Sequence, residues 1–395
     1  MHISSHLTSH DHRVMLATKV NYCIPEGVFT SPLWDKRSEM EITMENENKQ
    51  QTPHKRRVRY KGKYPKRFEE KYKELNPEKY QDTIEHVIRK GNTPAGMHIS
   101  IMVPEIIDFL QIKPGQTGFD ATLGYGGHTR AMLEQLNGEG HMYATDVDPE
   151  ESAKTRKRLA DLGFGEDILT IKLQNFCTID EIAREAGGFD FLLADLGVSS
   201  MQIDNPKRGF SFKIDGPLDL RLNQKEGISA AERLEHISRE ELSGMFYENS
   251  DEPYSDEIAK AITEYIRRGN HVDTTTKLRQ IIEETLSFLP EKDRKDTVKK
   301  TCQRVFQALR IDVNNEFEVL YEFMEKLPDA LKPGGRAAIL TFHSGEDKLV
   351  KKALKTGYKA GIYSEYSKDV VRPSAQECAQ NPRARSTKMR WAVKA

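Results

Sequence analysis

Cysteine is scarce: positions 23, 177, 302 and 378 lie too far apart for a C-x-x-C pair. That spacing argues against a zinc module or a disulfide framework and fits a reducing compartment. Apolar runs are short as well, none long enough to cross a bilayer, and the first residues lack the apolar core of a signal peptide. Net charge is nearly absent, with 60 Lys and Arg against 61 Asp and Glu, so affinity for a polyanion has to come from local patches. What remains, with 37% hydrophobic residues in 395, is the composition of a cytoplasmic globular protein of two or three domains.

The most informative stretch is Gly118-Phe-Asp-Ala-Thr-Leu-Gly-Tyr-Gly-Gly-His128. An extended segment enters a turn with Gly124, Gly126 and Gly127, and Met132, Leu133 and Leu136 follow at helical spacing. Glycines suit a backbone that must turn sharply and let a ligand approach. A glycine turn alone serves a purely structural purpose more often than not. Here the next apolar strand, His141-Met-Tyr-Ala-Thr-Asp146, ends in a carboxylate at about the 20-residue spacing at which an acid reaches the ribose of a nucleoside cofactor.

In chain order, residues 1–53 have the composition of a disordered segment. An extension over 54–95 follows. Its run Lys55-Arg-Arg-Val-Arg-Tyr-Lys-Gly-Lys-Tyr-Pro-Lys-Arg67 is either a solvated tail or an arm that neutralises phosphates, and 68–90 read as a charged helix. The globular pattern occupies 96–203: a helix with Ile106, Ile107, Phe109 and Leu110, the glycine unit, a helix with Ala153 and Leu159, the strand Leu169–Leu173, and the strand Phe189–Asp195, apolar on both faces. Strand alternating with helix predicts a doubly wound α/β sheet. Residues 204–303 read as a helical insertion, with capping boxes at Ser229–Glu232 and Ser238–Glu241 and stripes Ile258, Ile262, Ile266 and Leu278 to Leu289. The sheet resumes over 304–395 with strands Arg336–Phe342 and Met389–Val393. Glu252-Pro-Tyr254 faintly resembles an amino-methyltransferase signature, but with no strand before it the segment reads as a loop.

Ligands of such sheets sit at the carboxyl ends of the strands, which brings together Gly124 to His128, Asp146, Phe176, Asp195 to Gln202, and His343 to Asp347. Phe176 is read either as a platform for an adenine ring or as core packing. Asp195 ends an apolar strand and requires a partner.

Six segments, in order, resemble the MraW (RsmH) family of 16S rRNA (cytosine-N4)-methyltransferases: Asp120–His128; Asp195–Ser200 with Gln202 and Asp204; Arg208–Phe212 with Pro217–Arg221; Phe306–Asn314; Phe342–Ser344 with Glu346 and Asp347; and Asn381–Ser386. The resemblance covers about 97–395. It implies a Rossmann-like class I methyltransferase using S-adenosyl-L-methionine, held by Gly126, Gly127, His128, Asp146, Phe176, Asp195 and Gln202, with no metal. It also implies an inserted domain that helps hold RNA, and 16S rRNA or the small ribosomal subunit as partner. Asp195 is the first candidate for accepting hydrogen bonds from the target amine, with His343 as a second catalytic candidate and Ser199, Ser200 and Asp347 as further polar groups. The chain departs from the family at Ala121, Met201, the segment 247–252, Gly345 and Lys348, all outside the cofactor positions. Competing readings are a paralogue acting on another RNA, a nicotinamide-dependent oxidoreductase, disfavoured by the incomplete G-x-G-x-x-G turn, and a non-catalytic RNA-binding protein on the same fold.

Overall fold

The structure is a computed structural model that describes residues 100–395. The expected disorder of 1–53, the basic run 55–67 and the charged helix 68–90 lie outside the described residues.

Seven strands form one sheet: β1 (Thr117–Asp120), β2 (His141–Asp146), β3 (Leu169–Leu173), β4 (Phe189–Asp195), β5 (Leu331–Thr341), β6 (Tyr363–Tyr366) and β7 (Lys388–Lys394), in the order β3-β2-β1-β4-β5-β7-β6. Strands β1 to β5 are parallel, and β7 runs antiparallel to both β5 and β6. This is the Rossmann-like α/β architecture expected of a class I methyltransferase. Its chain order reverses beside β1, where β2 and β4 diverge and leave a crevice at their carboxyl ends.

Helices α1 (Val103–Leu110), α2 (Gly127–Leu136), α3 (Pro149–Asp161) and α4 (Ile179–Ala186) accompany the first four strands. Strand β4 shows why the sheet is covered on both sides. Leu192 and Ala194 belong to one hydrophobic cluster with Phe323 and Leu354, whereas Phe191 and Leu193 belong to another with Met132 and Ile106. A strand with both faces dry reads as a continuous apolar run. Ala153 of α3, expected on the apolar side, is exposed, and Ser152 and Thr155 are the buried small residues instead.

After β4 comes the short α5 (Ser200–Asp204) and then a helical block: α6 (Ala230–His236), α7 (Arg239–Ser250), α8 (Ser255–Arg267), α9 (Thr275–Thr285) and α10 (Glu291–Asn314). Its hydrophobic core is separate from the sheet's, centred on Leu242, Phe246, Ile258, Ile282 and Leu309. The N-cap hydroxyls of Ser229 and Ser238 accept from the amides of Glu232 and Glu241, as capping requires. Two boundaries differ from the sequence reading. The stripe expected to run to Leu289 stops being helical at Thr285. The division expected between 303 and 304 falls inside α10, because buried Cys302, Val305, Phe306 and Leu309 hold both sides of it in one core.

Helix α11 (Glu316–Ala330) leads back to β5, which starts at Leu331 rather than at Arg336. The Lys332-Pro-Gly-Gly335 turn is an irregularity within that strand, between the pairs Phe189–Leu331 and Phe191–Arg336. Helix α12 (Ser344–Lys359), β6 and α13 (Ala375–Gln380) complete the chain before β7. Among the described residues, no helix is long and apolar enough to cross a membrane.

Candidate functional site

The crevice opens into a cavity of about 650 Å³ with two kinds of wall. One is built by the carboxyl ends of β1, β2 and β4. The other is built by residues 210–222 and 303–314 of the helical block, with His343, Glu346 and the 381–386 segment at the side.

The glycine turn shapes the first wall. Gly126 has φ 79°, in the left-handed region, and caps α2; a Cβ there would lie 2.7 Å from Thr155 Cγ2. The turn is tied to β2, because Gly124 N–H donates to Asp146 Oδ2 at 2.7 Å. The other Asp146 oxygen accepts from Asp148 N–H at 2.8 Å. Burial pushes the Asp146 carboxyl up to about 6 despite these donors, with the neighbouring Asp148 and Asp120 charges acting in the same direction.

Asp195 stands at the end of β4. Its Oδ1 is buried and has no hydrogen-bond partner among the described residues, while Oδ2 lies 3.4 Å from His128 Nδ1. His128 Nε2 sits 2.9 Å from Ile101 O. A carbonyl can only accept, so Nε2 carries the ring's proton, and Nδ1 is protonated only in the imidazolium. Burial pushes Asp195 up to about 6, partly offset by His128 and reinforced by Asp120 and Glu346.

Of the remaining expected residues, Phe176, Ser199, Ser200, Gln202 and His343 line the same cavity. Phe176 packs edge-on against Phe323 with centroids 5.2 Å apart, so it is at once core packing and cavity wall. Gln202 belongs to a capping box with Ser199, and its amide nitrogen donates to Asp148 Oδ2 at 3.1 Å. His343 caps α12. Its Nδ1 faces the Glu346 amide, and its Nε2 is 3.2 Å from Glu346 Oε1. Burial alone would raise the Glu346 carboxyl, but His343 and Arg310 hold it below its usual range. Asp347 turns to Lys388 and Arg390 and is absent from the cavity wall.

Several residues that the sequence reading leaves without a role also shape the site. Arg208, 7% exposed, donates to Asp148 Oδ2 at 2.7 Å and to the carbonyls of Arg221 and Leu222. Asp148 is 1% exposed and also caps α3. Arg310 and Glu316 form a bidentate pair at 2.8 and 2.9 Å. Asn314 bonds Leu222 N–H and Leu220 O. Leu220 has φ 65°, a strained value for a residue with a Cβ, and Asn314 clamps it where it lines the cavity. The arginines and Asn314 lie in recognisable motifs. Their partners, up to 94 residues away, carry no local signal. Glu252 is fully buried and bonded to Arg304 and Thr301. It is a structural group of the helical block, consistent with reading Glu252-Pro-Tyr254 as a loop.

A family model described as the MraW methylase family matches residues 95–395. The chain is 85% identical to a ribosomal RNA small subunit methyltransferase H 1 of Agathobacter rectalis, over 87% of this chain and 98% of that protein. It is 68% identical to a protein of the same name from Lachnoclostridium phytofermentans, over 91% and 98%. It is 37% identical to a ribosomal RNA small subunit methyltransferase H of Koribacter versatilis, over 75% and 94%.

Proposed function

The chain belongs to the MraW methylase family, and we propose that it transfers a methyl group from S-adenosylmethionine to the exocyclic N4 amine of a cytosine in small-subunit ribosomal RNA, acting in the cytoplasm. The observation that carries this reading is Asp195: a buried carboxylate oxygen with no partner among the described residues, facing a cavity whose other wall is the helical block.

The residues fit the cofactor. A buried acceptor without a donor is costly, and a ligand offering an N–H or O–H relieves it. When bound, S-adenosylmethionine supplies an electrophilic methyl on a sulfonium centre. Asp146, anchored through both oxygens to backbone amides, keeps lone pairs for ribose hydroxyls. Gly126 and Gly127 present bare backbone, and Phe176 offers an apolar ring face. Gln202 acts through Asp148, since its amide is already engaged.

A cytosine amine is a weak nucleophile, because its lone pair is delocalised into the ring. A carboxylate that accepts from its N–H concentrates electron density on nitrogen and takes up the proton as the bond to carbon forms. With a carboxyl pushed up to about 6, Asp195 is largely ionised at neutral pH yet basic enough to receive that proton. His128 stabilises the ionised form through the 3.4 Å contact. His343 contributes by fixing the start of α12, not as a free base, because both ring nitrogens face Glu346. The helical block offers Phe210, Phe212 and Phe306 with Gln303 and Gln307, a mixture of apolar faces and amides suited to an extruded base.

Mass spectrometry of small-subunit rRNA from cells with and without the gene tests the reading. Loss of one N4-methylcytosine, restored by the parental gene and not by Asp195→Asn, is the expected result. An unchanged methylcytosine inventory, or loss of a different modified base, overturns it.

A further inference from the structure

Elsewhere on the described surface, helical cations are commonly matched to acids one turn away: Arg130 with Glu134, Lys277 with Asp273, Lys326 with Glu322. Helix α12 has no acid between Lys348 and Lys359. Lys348, Lys351, Lys355 and Lys359 are exposed and form no ion pair among the described residues. Their spacing places them within about 80° of one another around the helix, at about 100° per residue, and spreads them over roughly 16 Å of its length. The acids of α12 do not face them: Glu346 is buried against His343, and Asp347 is bound by Lys388 and Arg390.

The alternative of lysines serving the helix itself accounts for Lys359 in the last turn, but not for Lys348, which sits near the amino end where the helix dipole disfavours a cation. The amino end of the row lies within two turns of the cavity, which His343 and Glu346 line from the opposite face of α12. At its far end Tyr358, 42% exposed, packs against Tyr366 with centroids 4.8 Å apart, presenting an aromatic surface beside the last lysine.

We propose that this face of α12 is a track for the phosphate backbone of the RNA that flanks the target nucleotide. Polyanion is the occupant that a one-sided row of unpaired lysines fits, and a row of point charges adds affinity without reading sequence. The track rests on the reading of RNA as the substrate.

The test uses the full chain carrying Lys348→Gln, Lys351→Gln, Lys355→Gln and Lys359→Gln together. The control is Lys292→Gln, Lys295→Gln and Lys299→Gln on α10, where acids Glu291, Asp293 and Asp296 are interspersed. Affinity for a fragment of small-subunit rRNA is measured across a salt series. The slope of log affinity against log salt should flatten by about 0.7 for each phosphate that is no longer neutralised, roughly two to three in all. The control slope and the affinity for S-adenosylmethionine should not change. An unaltered slope, or an equal fall in the control, overturns the track. Binding does not require turnover, so a parental protein that binds this RNA without methylating it counts against the proposed reaction and leaves the track to be judged by its slope.

Discussion

At the sheet end of the cavity, Asp146 and Asp195 are half-buried, with their carboxyls pushed up to about 6. Elsewhere around the site, charge is matched pair by pair: Arg310 with Glu316 in the opposite wall, Arg383 with Asp204 at the side, and Arg208 with Asp148 outside the lining. The two regions therefore have different tasks. A buried acceptor without a donor, Asp195 Oδ1, holds free energy that a ligand can recover, whereas matched pairs fix the shape into which the ligand fits.

Breaking a matched pair should cost the fold most. Arg208→Ala leaves the buried Asp148 without its cation and removes two bonds to the 221–222 backbone, so denaturant unfolding should show a loss of about 3–5 kcal/mol. A loss below about 1 kcal/mol would mean that the pair is not a structural joint. Arg208→Lys should recover only part, because an ammonium cannot reproduce the planar fork.

Asp195→Asn should have the opposite profile. Turnover should fall by about 10²- to 10³-fold, the usual cost of one well-placed electrostatic group. Stability at neutral pH should rise by about 1–3 kcal/mol. The sign follows from the raised carboxyl. The folded group titrates near 6 instead of 3.8, so the native state binds more protons between those values and loses stability as pH rises through that window. The asparagine gain should thus be full above pH 6 and vanish below about 4. A destabilised or fully active variant would place Asp195 among the structural residues.

Asp146→Ala should weaken S-adenosylmethionine binding by about 1.5–3 kcal/mol in calorimetry. In the parental protein that affinity should decline as pH falls through 6, where the carboxylate is protonated. A pH-independent affinity would separate Asp146 from the ligand. The smallest effect is expected from deleting residues 1–67. Loss of the basic run should weaken RNA binding and flatten its salt dependence without changing the modified nucleotide; identical slopes would identify an inert tail.

What can be read in the sequence follows the same division. Strands β1 to β4 are legible because each is a short apolar run closed by turn residues, and Asp146 and Asp195 stand out as carboxylates ending such runs. Strand β6 escapes notice because its four residues include exposed Ser364 and Glu365 at the sheet's edge. Helix α12 is hidden by its lysines, which dilute the apolar stripe of Val350 and Leu354. The partners of Arg208 and Asn314 are invisible for a different reason: the first joins residues 60 apart and the second 94 apart, and local pattern says nothing about such pairs.

The sheet's connectivity bears on how the chain acquires its structure. Strand β5 must pair with β4 across the entire helical block, and β7, formed by nearly the last residues, lies between β5 and β6. The sheet is therefore complete only after synthesis has passed Lys394. Closing so long a loop in an unstructured chain is slow, since its entropy is surrendered before any long-range pairing can compensate. The block has its own core in Phe246, Ile258 and Leu309 and can condense first, drawing Asp195 and Leu340 toward each other. In that order of events, the block that walls the cavity also serves as the scaffold on which the two halves of the sheet meet.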